Sequence, residues 1–192
     1  KYSLDTLINE SNLFIEWYLQ KDLSLKISDL QKEEFSIIIE EIYNSLNIKQ
    51  DYLVLRDFHV DNLIYIENRN SLNKIGLIDY QDALIGSHSY DLASLIEDVR
   101  RPISSNLKVT LVELFSHLTS IDINQLEKEI SFYSVQRNLK IIGIFSRLKH
   151  RDNKNHYFSL IDNAWGFINP NLEKPKFKKL KNWMNNILLE HR

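Results

Sequence analysis

Asn62 and Asp79 carry oxygen ligands of the kind that hold a small hard cation, and Asp57 stands five residues before Asn62. All three lie in the stretch from Leu55 to Gln81, LRDFHVDNLIYIENRNSLNKIGLIDYQ. Two apolar runs, Leu63–Glu67 and Lys74–Tyr80, flank a polar segment, Asn68–Asn73, rich in turn formers, and together they predict an antiparallel hairpin. With the turn centred between Asn70 and Ser71, position 62 stands opposite position 79, so Asn62 and Asp79 become cross-strand neighbours. An amide oxygen beside a carboxylate suits Mg²⁺, which takes one or two protein groups and fills its other positions with phosphate and water. A lone Asp57 would read as a turn or cap residue, and the constellation with Asn62 and Asp79 is the more demanding pattern. Asp61 and Asp82 have two readings each, a metal or substrate contact and a solvated loop carboxylate. His59 reads as a hydrogen-bonded loop histidine, because no second histidine stands at metal-binding spacing nearby.

Composition bounds the rest. The 192 residues are 43% hydrophobic and 26% charged, enough for one domain or two closely packed subdomains around a sizeable core. A formal charge of −2 gives no general attraction to nucleic acid or to an acidic membrane, and no window is apolar and long enough to span a bilayer. The absence of cysteine excludes disulfides and thiolate chemistry. No charged-then-apolar leader opens the chain, so a soluble protein of the cytoplasm is expected.

The elements that must position the three residues are mostly helical. Ser3–Leu19 has apolar residues at helical spacing, with Glu10 and Glu16 on the other face; Glu10 stands as a candidate substrate contact or a solvated carboxylate. Phe14, Trp17 and Tyr18 form an aromatic cluster with two readings, lining a pocket and, favoured, packing against the next helix. Ser28 and Gln31 make a capping-box pattern ahead of a second helix ending near Asn47. Tyr52–Leu55 is short and β-prone and delivers the chain to Arg56 and Asp57. Beyond the hairpin, Leu92, Leu95, Ile96 and Val99 restart the helical period, which Pro102 ends. Asp91, in the first turn of that helix, either favours its N-terminus or reaches back to the backbone amides of the Arg56–Asp57 loop. Leu107–Leu118 predicts a further helix, and Ile123–Lys149 one long helix or two broken near Gly143. Within it Gln136, Arg137, Asn138 and Lys140 cover more than one face, so some can point toward a cleft while the rest are solvated, with solvation the favoured reading. Tyr157–Phe167 and Phe177–Leu189 complete the helices, the last with a stripe of Leu180, Trp183, Met184, Ile187 and Leu188.

Leu55–Ile64, followed by Gly76–Leu95 (GLIDYQDALIGSHSYDLASL), resembles the catalytic segment of the aminoglycoside phosphotransferase family, itself similar to protein kinases and choline kinases. Leu13–Tyr18 (LFIEWY), Asp79–Ala83 (DYQDA) and Gln136–Leu148 (QRNLKIIGIFSRL) are similar, more narrowly, to bacterial cell-wall-recycling kinases that phosphorylate N-acetylmuramate and N-acetylglucosamine at the anomeric hydroxyl. The resemblance implies Asp57 as catalytic base, Asn62 and Asp79 as Mg²⁺ ligands toward the phosphates of ATP, and Arg56 and Asp91 as structural support for the loop. It leaves Glu10 and Asp82 as candidate substrate contacts.

The implied fold is mainly α with a small β-hairpin, the C-terminal, helical lobe of a protein kinase-like α+β fold. Residues 1–192 are expected to form that single catalytic lobe. Such a kinase also needs a β-rich nucleotide lobe with a phosphate-covering loop and a strand lysine, and the four scattered glycines at 76, 86, 143 and 166 supply no such loop. The expected partners are therefore ATP, a small-molecule hydroxyl acceptor and a nucleotide lobe outside the chain, with self-association through the bared lobe surface. An aminoglycoside or choline-type kinase is the alternative acceptor class. A catalytically silent interaction module and a metal-dependent phosphoesterase are the alternatives of other classes, the second wanting more acidic ligands than Asn62 provides.

Overall fold

The computed structural model describes residues 1–189, and the chain divides into two units, Lys1–Tyr2 with Lys49–Ile130, and Ser3–Ile48 with the residues from Ser131 onward. No helix among the described residues is long and apolar enough to cross a membrane. Among the described residues, seven α-helices, a π-helical stretch, short 3₁₀ turns and two small antiparallel ladders make up the regular structure, a mainly α organisation.

The unit that begins at Ser3 is helical. Helix α1, Leu4–Leu13, is capped by Ser3, whose hydroxyl accepts from the Thr6 amide, and it runs on as a π-helix over Phe14–Asp22. Helix α2, Asp29–Asn44, has the capping box its sequence predicts: the Ser28 hydroxyl accepts from the Gln31 amide at 3.2 Å and the Gln31 side chain accepts from the Ser28 amide at 2.8 Å. Helix α5, Ile123–Asp152, is continuous. Its residues up to Ile130 belong to the other unit. The helix does not break at Gly143, and the reason for glycine there is proximity. A Cβ at 143 would meet the carbonyl carbon of Leu13 and stand 2.6 Å from the Phe14 nitrogen, so only a bare backbone fits. That approach falls where α1 changes from α to π winding.

Gln136, Arg137 and Asn138 are buried, against the expectation of a solvated face. Each amide finds backbone oxygen: Gln136 donates to the Leu7 carbonyl at 3.0 Å and Asn138 to the Ser134 carbonyl at 2.8 Å. These two bonds satisfy the side-chain amide nitrogens that enclosure would otherwise strand. Helices α6, Ile161–Leu172, and α7, Lys178–Leu189, complete the unit. Trp183 packs on Phe35 with ring centroids 4.9 Å apart and donates its indole N–H to the Gln31 carbonyl. Of the two readings for the aromatic cluster, pocket lining is seen: Phe14 and Tyr18, with Trp165, Trp183 and Met184, line a cavity of about 260 Å³.

The other unit holds the ladders. Strand β2, Leu63–Tyr65, pairs with β3, Ile75–Leu77, in the register Leu63↔Leu77, Ile64↔Gly76 and Tyr65↔Ile75. This corrects the expected register by one residue. The turn is centred on Asn70 itself, because the Ile66 amide bonds the Lys74 carbonyl and Ser71 adopts a left-handed φ of 51° at the head of a 3₁₀ turn. Asn62 therefore faces Ile78, whose amide donates to the Asn62 carbonyl, and Asp79 lies one residue further on.

A second ladder was not anticipated. Strand β1, Tyr52–Val54, pairs with β4, Leu84–Gly86, closing the whole hairpin into a loop between them. Tyr2 extends it by donating its amide to the Ile85 carbonyl. Helices α3, His88–Ile96, and α4, Ser105–Thr119, supply Tyr90, Ala93, Ile96 and Val112 to the core. His88 sits between Tyr52 and Phe115 near Glu129, and burial pushes its imidazole below the usual histidine range.

The Gly143 contact generates a direct test. Gly143→Ala forces a methyl into the α1 backbone and lowers stability by about 2–3 kcal/mol, read from the urea midpoint. An unchanged midpoint would contradict the close approach.

Candidate active site

The loop from Leu55 to Asn62 is short of regular structure, so its shape depends on a few hydrogen bonds. Arg56 takes a left-handed φ of 69°, a conformation costing a non-glycine residue about 1–2 kcal/mol. Asp91, in the first turn of α3, supplies the compensation. Its carboxylate accepts from the Leu55 amide at 2.7 Å and from the Arg56 amide at 3.1 Å. Hydrogen bonds to a charged acceptor contribute about 1.5–3 kcal/mol each, so the pair outweighs the backbone strain. The guanidinium of Arg56 lies over the Tyr2 ring, 5.3 Å from its centroid, which fixes the residue from the side-chain end as well.

Asp57 follows at once, with its side chain exposed. The loop then tightens into a 3₁₀ turn over Val60–Asn62. The Asn62 side chain donates through Nδ2 to the Asp57 carbonyl at 2.8 Å, and the same nitrogen lies 3.4 Å from His59 Nε2. Asn62 is thereby locked to the residue five positions earlier, and its Oδ1 is the atom left to serve a ligand. His59 is a loop residue beside Asn62.

Asp79 is exposed and also left-handed, with φ 59°. It stands just past the last ladder bond, so the alternation of the strand no longer sets the direction of its side chain. Its Oδ1 accepts from Gln81 Nε2 at 2.6 Å. Asn62 and Asp79 thus lie at the same end of one hairpin, each fixed by a local bond that leaves an oxygen for a cation. An amide oxygen and a carboxylate are the donor set that Mg²⁺ accepts when phosphate and water complete its shell. Among the described residues no three His, Cys, Asp or Glu side chains gather as a metal cluster.

The other candidates fall in different places. Asp61 has ionic neighbours, Arg101 at 3.5 Å and Arg100 at 4.0 Å. Asp82 is exposed in the turn before β4. Glu10 belongs to the other unit, where it pairs with Lys140 at 3.0 Å with both side chains largely buried. Asp98, Arg100 and Arg101 carry no motif that would single them out in the sequence. Only folding brings the two arginines to Asp61.

A helical lobe with a small hairpin and an Asp-x-x-x-x-Asn loop braced by a distant carboxylate is the catalytic-lobe organisation of kinase-like phosphotransferases. The phosphotransferase enzyme family matches residues 3–123, and the chain belongs to that family. It is similar to three proteins named N-acetylmuramate/N-acetylglucosamine kinase. The Neisseria meningitidis protein is 32% identical over 82% of this chain and 48% of its own length. The Pseudomonas putida protein is 30% identical over 85% and 49%, and that of Caulobacter vibrioides 26% identical over 91% and 48%. The chain spans about half the length of these curated relatives.

The brace predicts a local effect. Asp91→Ala leaves the amides of Leu55 and Arg56 without their acceptor, and both exchange with deuterium at least tenfold faster, a loss of about 1.4 kcal/mol or more in local protection. Unchanged exchange at both amides would show that the loop holds its shape without Asp91.

Proposed function

We propose that the chain is the catalytic lobe of an ATP-dependent phosphotransferase that phosphorylates a hydroxyl of an amino sugar of the N-acetylmuramate/N-acetylglucosamine type. The observation carrying this reading is the doubly fixed loop, with Asp91 on the Leu55 and Arg56 amides and Asn62 on the Asp57 carbonyl. Those bonds fix the backbone on both sides of Asp57, whose side chain is exposed. The names of the relatives support the choice of acceptor. Sugars of this kind are released when cell wall is recycled, and use of ATP fits a cytoplasmic enzyme.

In this reading Asp57 accepts the proton of the acceptor hydroxyl as its oxygen bonds to the γ-phosphorus of ATP and the bond from that phosphorus to the ADP oxygen breaks. Asn62 Oδ1 and the Asp79 carboxylate would hold Mg²⁺. Bound there, the ion neutralises charge on the phosphate oxygens. Gln81 restrains Asp79, and the Asn62–Asp57 bond couples the base to the metal side, so positioning and electrostatics carry most of the rate. Arg56 and Asp91 touch no substrate and act by holding the loop.

Nucleotide grip needs a second, β-rich lobe, which we place outside these 192 residues. The hairpin unit leaves Ile64, Tyr65, Leu72, Ile75, Leu77, Ile78 and Tyr80 exposed, an apolar surface suited to such a lobe or, when bare, to a second copy of the chain.

The protein at its full natural length, given ATP, Mg²⁺ and a panel of amino sugars, aminoglycosides and choline, is expected to yield a sugar phosphate detectable by ³¹P NMR. Asp57→Asn, which keeps the shape and removes the base, lowers turnover by about 10²-fold or more with the fold unchanged by circular dichroism. Near-normal turnover in that variant would remove Asp57 from the chemistry.

A further inference from the structure

The turn that joins α3 to α4 holds two arginines against the catalytic loop. Asp98, with 1% of its side chain exposed, builds this turn: its Oδ1 accepts from the Arg100 amide at 3.0 Å, its carbonyl accepts from the Arg101 amide at 3.2 Å, and Arg100 Nη1 lies 3.6 Å from the same carboxylate. Pro102 follows and fixes the exit. Asp61, the residue immediately before Asn62, meets Arg100 Nε at 4.0 Å and Arg101 Nη2 at 3.5 Å. A saturated guanidinium–carboxylate pair closes to about 2.7–2.9 Å, often through two parallel bonds. Neither contact reaches that range, and one Asp61 carboxylate is shared by two cations. Arg100 also has the buried Asp98; Arg101 does not, and 65% of its side chain is exposed.

We propose that Arg101, tethered through Asp61 to the Asp57–Asn62 loop, is a specificity-determining residue that receives a carboxylate on the acceptor sugar. The assignment rests on the sugar-kinase reading above and names the part of the acceptor that this turn recognises. N-acetylmuramate differs from N-acetylglucosamine by a lactyl ether, which adds one carboxylate close to the sugar ring. A planar guanidinium with an open edge accepts such a group in a bidentate fork, which a point-charge lysine does not reproduce. Asp61 holds Arg101 near the loop, and its loose contact leaves the guanidinium able to take a second anion. A phosphoryl oxygen has the same chemistry as a carboxylate toward this fork, so the test separates the two.

The experiment compares kcat/KM for N-acetylmuramate and N-acetylglucosamine in the protein at its full natural length. In Arg101→Gln the acid-to-neutral ratio falls about tenfold or more, and in Arg101→Lys it takes an intermediate value. A ratio within threefold of the natural protein's, whether both sugars decline together or neither does, overturns the proposal; a shared decline would assign Arg101 to the transferring phosphoryl group. A natural protein that phosphorylates only the neutral sugar overturns it too, while leaving the kinase reading intact. If the natural protein phosphorylates neither sugar, the kinase reading itself fails and this assignment falls with it.

Discussion

The carboxylate of Asp91 on two successive backbone amides is the interaction on which the candidate site depends. Leu55 and Arg56 belong to a segment with little ladder of its own, and Arg56 is held where an L-residue is strained. A neutral side chain would offer weaker acceptors and a shorter list of geometries. The carboxylate offers two oxygens at fixed spacing, and the helix N-terminus under it favours the negative charge. Asp91 is itself placed by α3, whose Tyr90 and Ala93 are buried, so the loop inherits its position from the core.

From that anchor the site is assembled by short links. Asn62 reaches back to the Asp57 carbonyl, and the Asn62 carbonyl in turn accepts from Ile78 of the opposite strand. One residue thus joins the loop to the hairpin, and Asp79 emerges immediately after that joint. The β1–β4 ladder closes the base of the same segment. Phosphoryl transfer asks little covalent chemistry of a protein and a good deal of placement, and in the proposed function these links would supply it.

Much of this organisation was legible in the residues. The capping box at Ser28, the apolar stripe of α7 and the helical periods of α2 and α4 follow directly from local chemistry, and Asp91 in a first helical turn was already a candidate to reach the loop. The register of the hairpin was not. A seven-residue connection from Glu67 to Asn73 centres on Asn70, and nothing in its composition distinguishes that from a centre one half-step later until Ser71 is seen to turn left-handed. The β1–β4 pairing joins two three-residue strands across the entire hairpin, too short and too distant for propensity to link. The burial of Gln136 and Asn138 is hidden for the opposite reason, since polar side chains on a long helix look solvated until their backbone acceptors are known. The arginines at 100 and 101 meet Asp61 only through tertiary structure.

In the proposed site the Asn62 amide, turned by its bond to Asp57, and the Asp79 carboxylate present oxygens to one cation. Paramagnetic relaxation with Mn²⁺ in place of Mg²⁺ tests this on the isotopically labelled 192-residue chain without requiring turnover. A shared cation site gives selective broadening of the Asn62 side-chain amide and of Asp79 and Gln81 at the lowest Mn²⁺ concentrations, abolished together by Asp79→Ala. Broadening centred on other carboxylates, with Asn62 and Asp79 spared, would contradict it.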